Sequence, residues 1–140
     1  LDKDEKLQDL VKKFYLEFYW NPLQLSLNPV NIVAQELFDS AVHQGTTTAT
    51  IQLQRSLNVL NKNSKLWSDL KVDGQYGAKT HEAVIACLNE VPVSLLLTPV
   101  RALRVSRMIE LIERNENLER FSAGWFARVP CWSLDQHQTS

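Results

Sequence analysis

Asn28-Pro29-Val30-Asn31-Ile32-Val33-Ala34-Gln35-Glu36-Leu37-Phe38-Asp39-Ser40-Ala41-Val42-His43-Gln44-Gly45 is the stretch on which the reading of this chain turns. Ile32, Val33, Leu37, Phe38 and Ala41 recur at the three- and four-residue spacing of one helical face. Asn28 and Pro29 suit a helix start, with asparagine as cap and proline at the first helical position. Gly45 suits a left-handed cap at the end. One bounded amphipathic helix is therefore expected here, and the neighbouring segments extend the pattern in both directions.

Upstream, Leu7, Leu10, Val11, Phe14 and Phe18 predict a helix over 3–19, with Pro22 as its stop. Tyr15, Tyr19 and Trp20 widen its apolar face. Downstream, Leu53, Leu57 and Leu60, with Ile51 beside them, predict a third helix over roughly 47–61. Asn61-Lys62-Asn63-Ser64 is turn-rich, and Leu66, Trp67 and Leu70 read as an apolar clip across the loop that follows. Val72-Asp73-Gly74-Gln75-Tyr76-Gly77 suits a tight turn or a very short hairpin. Ala83, Val84, Cys87 and Leu88 predict a helix over 78–90. Thr98-Pro99 suggests a further start, with Val100, Leu103, Arg107 or Met108, Leu111 and Ile112 on one side as far as Asn115. A last turn or helix is expected over 117–128. The chain is expected to be mainly α, a single helical domain over 1–130 with a polar tail at 131–140.

Composition narrows the function. The 140 residues are 44% apolar or aromatic and 22% charged, a globular balance. Fifteen basic residues oppose sixteen acidic ones for a net charge of −1, which excludes a chain-wide positive field for nucleic acid. Arg101, Arg104, Arg107, Arg114, Arg120 and Arg128 are answered by Glu110, Glu113, Glu116 and Glu119, so these arginines are expected on a solvated, internally paired face. No apolar run approaches the roughly 20 residues of a membrane span. The opening Leu1-Asp2-Lys3-Asp4-Glu5-Lys6 lacks a signal-peptide pattern and reads as the middle of a longer chain.

Few residues point to chemistry by spacing alone. Glu36 and Asp39 lie three apart, so both can address one helical face, and Asp39 is the better candidate for a groove. His43, His81 and His137 form no ligand pair, and no metal or other cofactor is expected. His43 stands out by its place beside a helix end, where loops often line sites. Cys87 falls on an apolar face and reads as a small buried hydrophobe; with Cys131 it makes no disulfide framework. Ser40, Ser106 and Ser122 lack a nucleophile-elbow pattern, and Gly74 and Gly77 lack a phosphate-loop pattern.

An ordered series of segments carries a resemblance. It runs Tyr19-Trp20-Asn21-Pro22-Leu23, then Glu36 through Gly45, then Leu53-Gln54-Arg55-Ser56-Leu57-Asn58. It continues through Leu70-Lys71-Val72-Asp73-Gly74-Gln75-Tyr76-Gly77-Ala78-Lys79-Thr80 and Arg107-Met108-Ile109-Glu110-Leu111 to Phe121-Ser122-Ala123-Gly124-Trp125 and Arg128. Over roughly 10–129 this series resembles the phage and bacterial N-acetylmuramidase family formerly called secretion activator proteins. The later portion of that family is described as a predicted peptidoglycan-binding domain. The resemblance implies a lysozyme-like helical fold and cleavage of the MurNAc–GlcNAc bond of peptidoglycan.

The family's catalytic glutamate sits in a Glu-Gly-Gly motif that lies before the Tyr-Trp segment, and this sequence contains no Glu-Gly-Gly. No glutamate here inherits the role, so the acid is expected upstream of residue 1. His43 stands where relatives commonly carry asparagine, and Met108 stands where a tyrosine is usual. On this resemblance Asp39, His43, Tyr19 and Trp20 are candidates for substrate contact. The pair Leu53–Asn58 and Val72–Thr80 also resembles the core pattern of small helical peptidoglycan-binding modules. There Asp73 accepts loop amide hydrogen bonds, Gly74 and Gly77 permit the turn, and Thr80 holds the next helix start. The implied partners are peptidoglycan glycan strands, with phage lysis or export machinery, and the implied place of action is the periplasm or the cell wall. The alternative is a noncatalytic wall-binding or helical interaction module, which an exposed Trp125/Phe126 surface would favour.

Overall fold

The computed structural model describes residues 2–129, and among them helices and turns account for all regular structure, with no strand. The mainly α expectation is met. Two compact units divide the chain, Leu1–Val100 and Arg101–Ser140. The expected polar tail at 131–140 and His137 lie outside the described residues.

In the first unit, α1 (Lys3–Tyr15) starts where the Asp2 carboxylate accepts a 2.8 Å hydrogen bond from the Glu5 amide. Asp4 and Glu5 in its first turn and Lys12 and Lys13 in its last complement the helix dipole. The expected continuation to residue 19 is not α-helical. Leu16–Trp20 widens into a π turn closed by the Asn21 amide on the Leu16 carbonyl, and a 3₁₀ turn, Asn21–Leu23, holds Pro22. Proline has no amide hydrogen, so the chain adopts a form that does not need that donor.

Helix α2 (Asn31–Gln44) begins later than expected. The Asn28 side-chain oxygen accepts from the Val30 amide at 3.0 Å, which makes a turn ahead of the helix and not its cap; Val30 occupies the cap position. Gly45 joins α2 directly to α3 (Thr46–Leu60) with φ +90° and ψ 153°, so it is a one-residue corner and not a left-handed cap. Its amide donates to the Ala41 carbonyl while its own carbonyl accepts from Ala49. Only glycine populates that backbone region readily.

Helix α4 (Ala78–Glu90) matches expectation, and α5 (Val93–Arg114) does not. It starts five residues before the Thr98-Pro99 signal and carries Pro99 inside. Leu96, Leu97 and Val100 are buried in the core from these early turns, and that burial outweighs one absent hydrogen bond. The core joins Val33, Leu37 and Ala41 of α2 to Leu53 and Leu57 of α3, Val84 and Cys87 of α4, and Trp67 of the connecting loop. Burial raises the Cys87 thiol to about 11, as suits an inert core residue.

The second unit begins within α5 and continues through a 3₁₀ segment, Glu116–Phe121, into α6 (Ser122–Ala127). Arg101 and Arg104 are 3% and 0% exposed, which corrects their expected place on a solvated face. Such burial of a guanidinium requires hydrogen-bonded or charged surroundings. Met108 is buried too, in keeping with apolar packing at that position.

Candidate functional site

The loop between α3 and α4 has no regular structure, yet α3 holds it throughout. Gln54 and Asn58 of α3 and Asn61 at its C-cap follow one another one turn apart. The buried Gln54 amide donates to the Asp73 carboxylate at 3.0 Å, the Gln75 carbonyl at 3.2 Å and the Thr80 hydroxyl at 3.0 Å. Its oxygen accepts from the amides of Asp73 and Gly74 at 3.1 and 3.0 Å. One turn on, Asn58 donates to the Leu70 carbonyl at 2.9 Å and accepts from the Leu70 amide at 2.7 Å, copying a strand pairing with a single side chain. Asn61 donates to Asp69 and accepts from the Ser64 amide, and the Trp67 indole donates to the Leu57 carbonyl. Tyr76 and His81 share a 2.9 Å hydrogen bond, and burial pushes the Tyr76 phenol well above its ordinary value.

This arrangement assigns work to the four motif residues. Asp73 accepts from the Gln75 amide at 2.9 Å as well as from Gln54, and those hydrogen bonds, the Gln75 amide foremost, hold its carboxyl below its usual value. Gly74 has φ +75°, and a Cβ there would stand 2.7 Å from Thr47 Cγ2. Both its conformation and its close approach to α3 exclude a side chain. Gly77 differs: its φ is −106°, a Cβ would meet nothing within 4 Å, and it serves as the N-cap of α4. Thr80 is buried in the first turn of α4, where Gln54 reaches it.

A second feature lies between α1 and α2. Trp20 and Phe38 meet edge to face with centroids 5.5 Å apart, and Tyr15 approaches Phe38 at 6.2 Å. With Val11, Lys12 and Leu16 they line an open groove of about 460 Å³. The Trp20 indole donates to the Ser26 hydroxyl at 2.8 Å, which fixes the ring. Of the four candidate contact residues, only Trp20 lines this groove. Tyr19 packs beside it against Phe14 and Tyr15, at 5.9 and 5.7 Å. Asp39 and His43 are half-buried, one turn apart on α2, outside the groove walls. The other five wall residues were not among the candidates: the sequence marks Val11, Tyr15 and Phe38 only as parts of apolar helical faces, and it carries no signal for Lys12 and Leu16. Glu36 is buried in α2.

In the second unit Phe121 and Trp125 stack at 6.4 Å with an interplanar angle of 12°, and Arg120 lies over the Phe121 ring at 4.8 Å. Trp125 is half-buried and Phe126 is exposed. Among the described residues no group of three His, Cys, Asp or Glu side chains is placed to hold a metal ion, and no helix is long and apolar enough to cross a membrane.

Residues 48–130 match the model of a family described as a predicted peptidoglycan domain. The match takes in α3, the pinned loop and everything up to α6, and leaves α1, α2 and the groove outside it. No curated protein matches the chain.

Proposed function

The chain belongs to the predicted peptidoglycan domain family, and we propose that it is the later portion of an N-acetylmuramidase that cleaves the MurNAc–GlcNAc bond of peptidoglycan. The observation that carries the peptidoglycan part is the family match over α3–α6. The enzymatic part is supported by the ordered resemblance described above and by the state of α1. None of the residues of α1 is buried, and Leu7, Leu10, Phe14 and Phe18 are 60%, 63%, 48% and 52% exposed along one stripe. An apolar stripe of this size is unfavourable in water and marks a surface that packs on something. In our reading an acid-bearing segment upstream of residue 1 packs there and completes a lysozyme-like domain.

The catalytic glutamic acid of that segment would protonate the glycosidic oxygen while positive charge develops at the sugar ring. This chain supplies the binding wall. Asp39 and His43 act as polar contacts, and Tyr19 and Trp20 act as aromatic ones. The functional portion extends over 1–130, and its activity belongs to the periplasm or cell wall, with lysis or export machinery as partners. On its own the 140-residue chain binds the wall without cleaving it.

The test compares the chain extended through its upstream coding sequence with the 140-residue chain, each incubated with purified insoluble peptidoglycan. The extended chain is expected to release new reducing muramic-acid ends, and the 140-residue chain to be retained on the wall with no such release. Retention of both without new ends would leave a noncatalytic wall binder and remove the muramidase. A helical interaction module is the second reading, favoured by the exposed Ile109, Phe121 and Phe126 of the second unit. Absence of wall retention would select it.

A further inference from the structure

Among the described residues, the groove between α1 and α2 has one charged group. Val11, Tyr15, Leu16, Trp20 and Phe38 form its walls, and Lys12 is the only ionic residue among its lining. Lys13 next to it pairs with Asp9 at 3.6 Å, whereas Lys12 makes no ion pair among the described residues. The Trp20 indole hydrogen is engaged with Ser26, so the ring offers its edge and face to the groove and not its donor. The volume of about 460 Å³ falls within the range of small-ligand sites.

These features select among the parts of peptidoglycan. A sugar ring can lay a C–H face on Trp20, but the rim of hydroxyls finds only the Lys12 ammonium among the charged groups of these walls and leaves the rest to water. The free end of an uncrosslinked stem peptide is different. Its last two residues are D-alanines, so it presents two methyl groups and one carboxylate in a short stretch. Aromatic and aliphatic walls suit the methyls, and an unpaired ammonium at the edge suits the carboxylate.

We propose that the α1–α2 groove binds the D-alanyl-D-alanine end of a stem peptide, with Lys12 taking the terminal carboxylate. The inference rests on the peptidoglycan reading and narrows the substrate feature recognised around Trp20.

The experiment is calorimetric titration of the 140-residue chain with diacetyl-L-lysyl-D-alanyl-D-alanine and with its C-terminal amide. Alongside it, retention on insoluble peptidoglycan is measured. The acid is expected to bind saturably and the amide about fivefold more weakly or worse, as fits an exposed ion pair. Lys12→Met is expected to erase the preference for the acid, and added salt to diminish it. Lys12 is exposed, so this variant keeps the fold, and the amide arm needs no variant at all. Equal binding of acid and amide would overturn the proposal and point to a slot for an apolar protein segment. Failure of both peptides to bind, with the chain still retained on the wall, would overturn it while leaving the peptidoglycan reading intact. Failure of both peptides together with loss of retention would remove both.

Discussion

The 61–77 loop and helix α1 are opposites. The loop has almost no regular structure, yet two α3 side-chain amides, that of the C-cap Asn61, an indole and a glycine contact hold it against α3. Helix α1 has a satisfied cap, charges matched to its dipole and a clear apolar stripe, yet buries none of its residues. Regular secondary structure and tertiary anchorage are thus separate properties. A backbone satisfied within its own helix needs no neighbour, whereas an irregular backbone must find its hydrogen-bond partners elsewhere.

The strongest attack on this contrast is Gln54→Leu. The side chain makes five hydrogen bonds from a nearly fully buried position, so its loss removes the acceptor of the Asp73 and Gly74 amides and the partner of the buried Thr80 hydroxyl. Each lost hydrogen bond costs about 0.5–1.5 kcal/mol net, and for the five together a loss of about 3 kcal/mol is expected. Urea unfolding measures it. A shift below 1 kcal/mol would mean that water replaces Gln54 and that the loop is not anchored as described.

Next in size is Gly74→Ala, at about 2 kcal/mol, combining the positive φ with the clash against Thr47. Thr47→Ser removes the clashing methyl and should recover part of that cost, leaving the backbone component, as a double-mutant cycle would show. Gly77→Ser is the control within the same motif. Its backbone is ordinary and its surroundings are open, so a gain of a few tenths of a kcal/mol from better helix capping is expected. If the two glycines behaved alike, the close approach of the loop to α3 would be wrong.

The pH dependence of the loop follows from Asp73. Hydrogen bonds from the Gln75 amide and then Gln54 lower its folded-state pKa below the usual 3.8. A carboxylate with a depressed folded pKa stabilises the fold above its unfolded value, and that contribution is lost as pH falls through the folded value. Stability should therefore decline below about pH 4 in the native chain. Asp73→Asn keeps an oxygen acceptor for the Gln75 amide and should flatten that part of the profile. Urea midpoints across this acid range give the comparison, and an unchanged slope in the variant would assign the acid sensitivity to other carboxylates.

How much of this was legible depended on which force set each feature. The helices around Leu37, Leu57 and Val84 were readable because apolar periodicity reports a buried face directly. Gln54, Asn58 and Asn61 were not, since polar residues one turn apart look like a solvent face until another part of the chain folds over them. Pro99 misled for a related reason: a local breaker was overruled by the burial of Leu96 and Leu97, which no local rule contains. At the groove, Trp20 stood out because it widens the apolar face at the end of the first helix, while Phe38 and Lys12 acquire their roles only when α1 comes beside α2. Asp73 and Gly74 were readable as a turn, but their dependence on Gln54 joins residues about twenty positions apart.

The smallest expected effect is also the most informative about α1. Replacing Leu7 and Leu10 together by glutamine changes two side chains that are about 60% exposed. Leucine and glutamine have similar helix propensities, so the urea midpoint of the 140-residue chain should move by no more than about 0.5 kcal/mol. The same pair of changes in a chain extended upstream should cost about 2 kcal/mol or more if the stripe is buried there, by the loss of apolar contact at two leucines. The difference between the two measurements isolates what α1 packs against. A large loss in the 140-residue chain itself would show that α1 is anchored within the first unit after all. Equal, small effects in both chains would mean that the upstream segment does not cover the stripe, and the muramidase reading would lose its structural support.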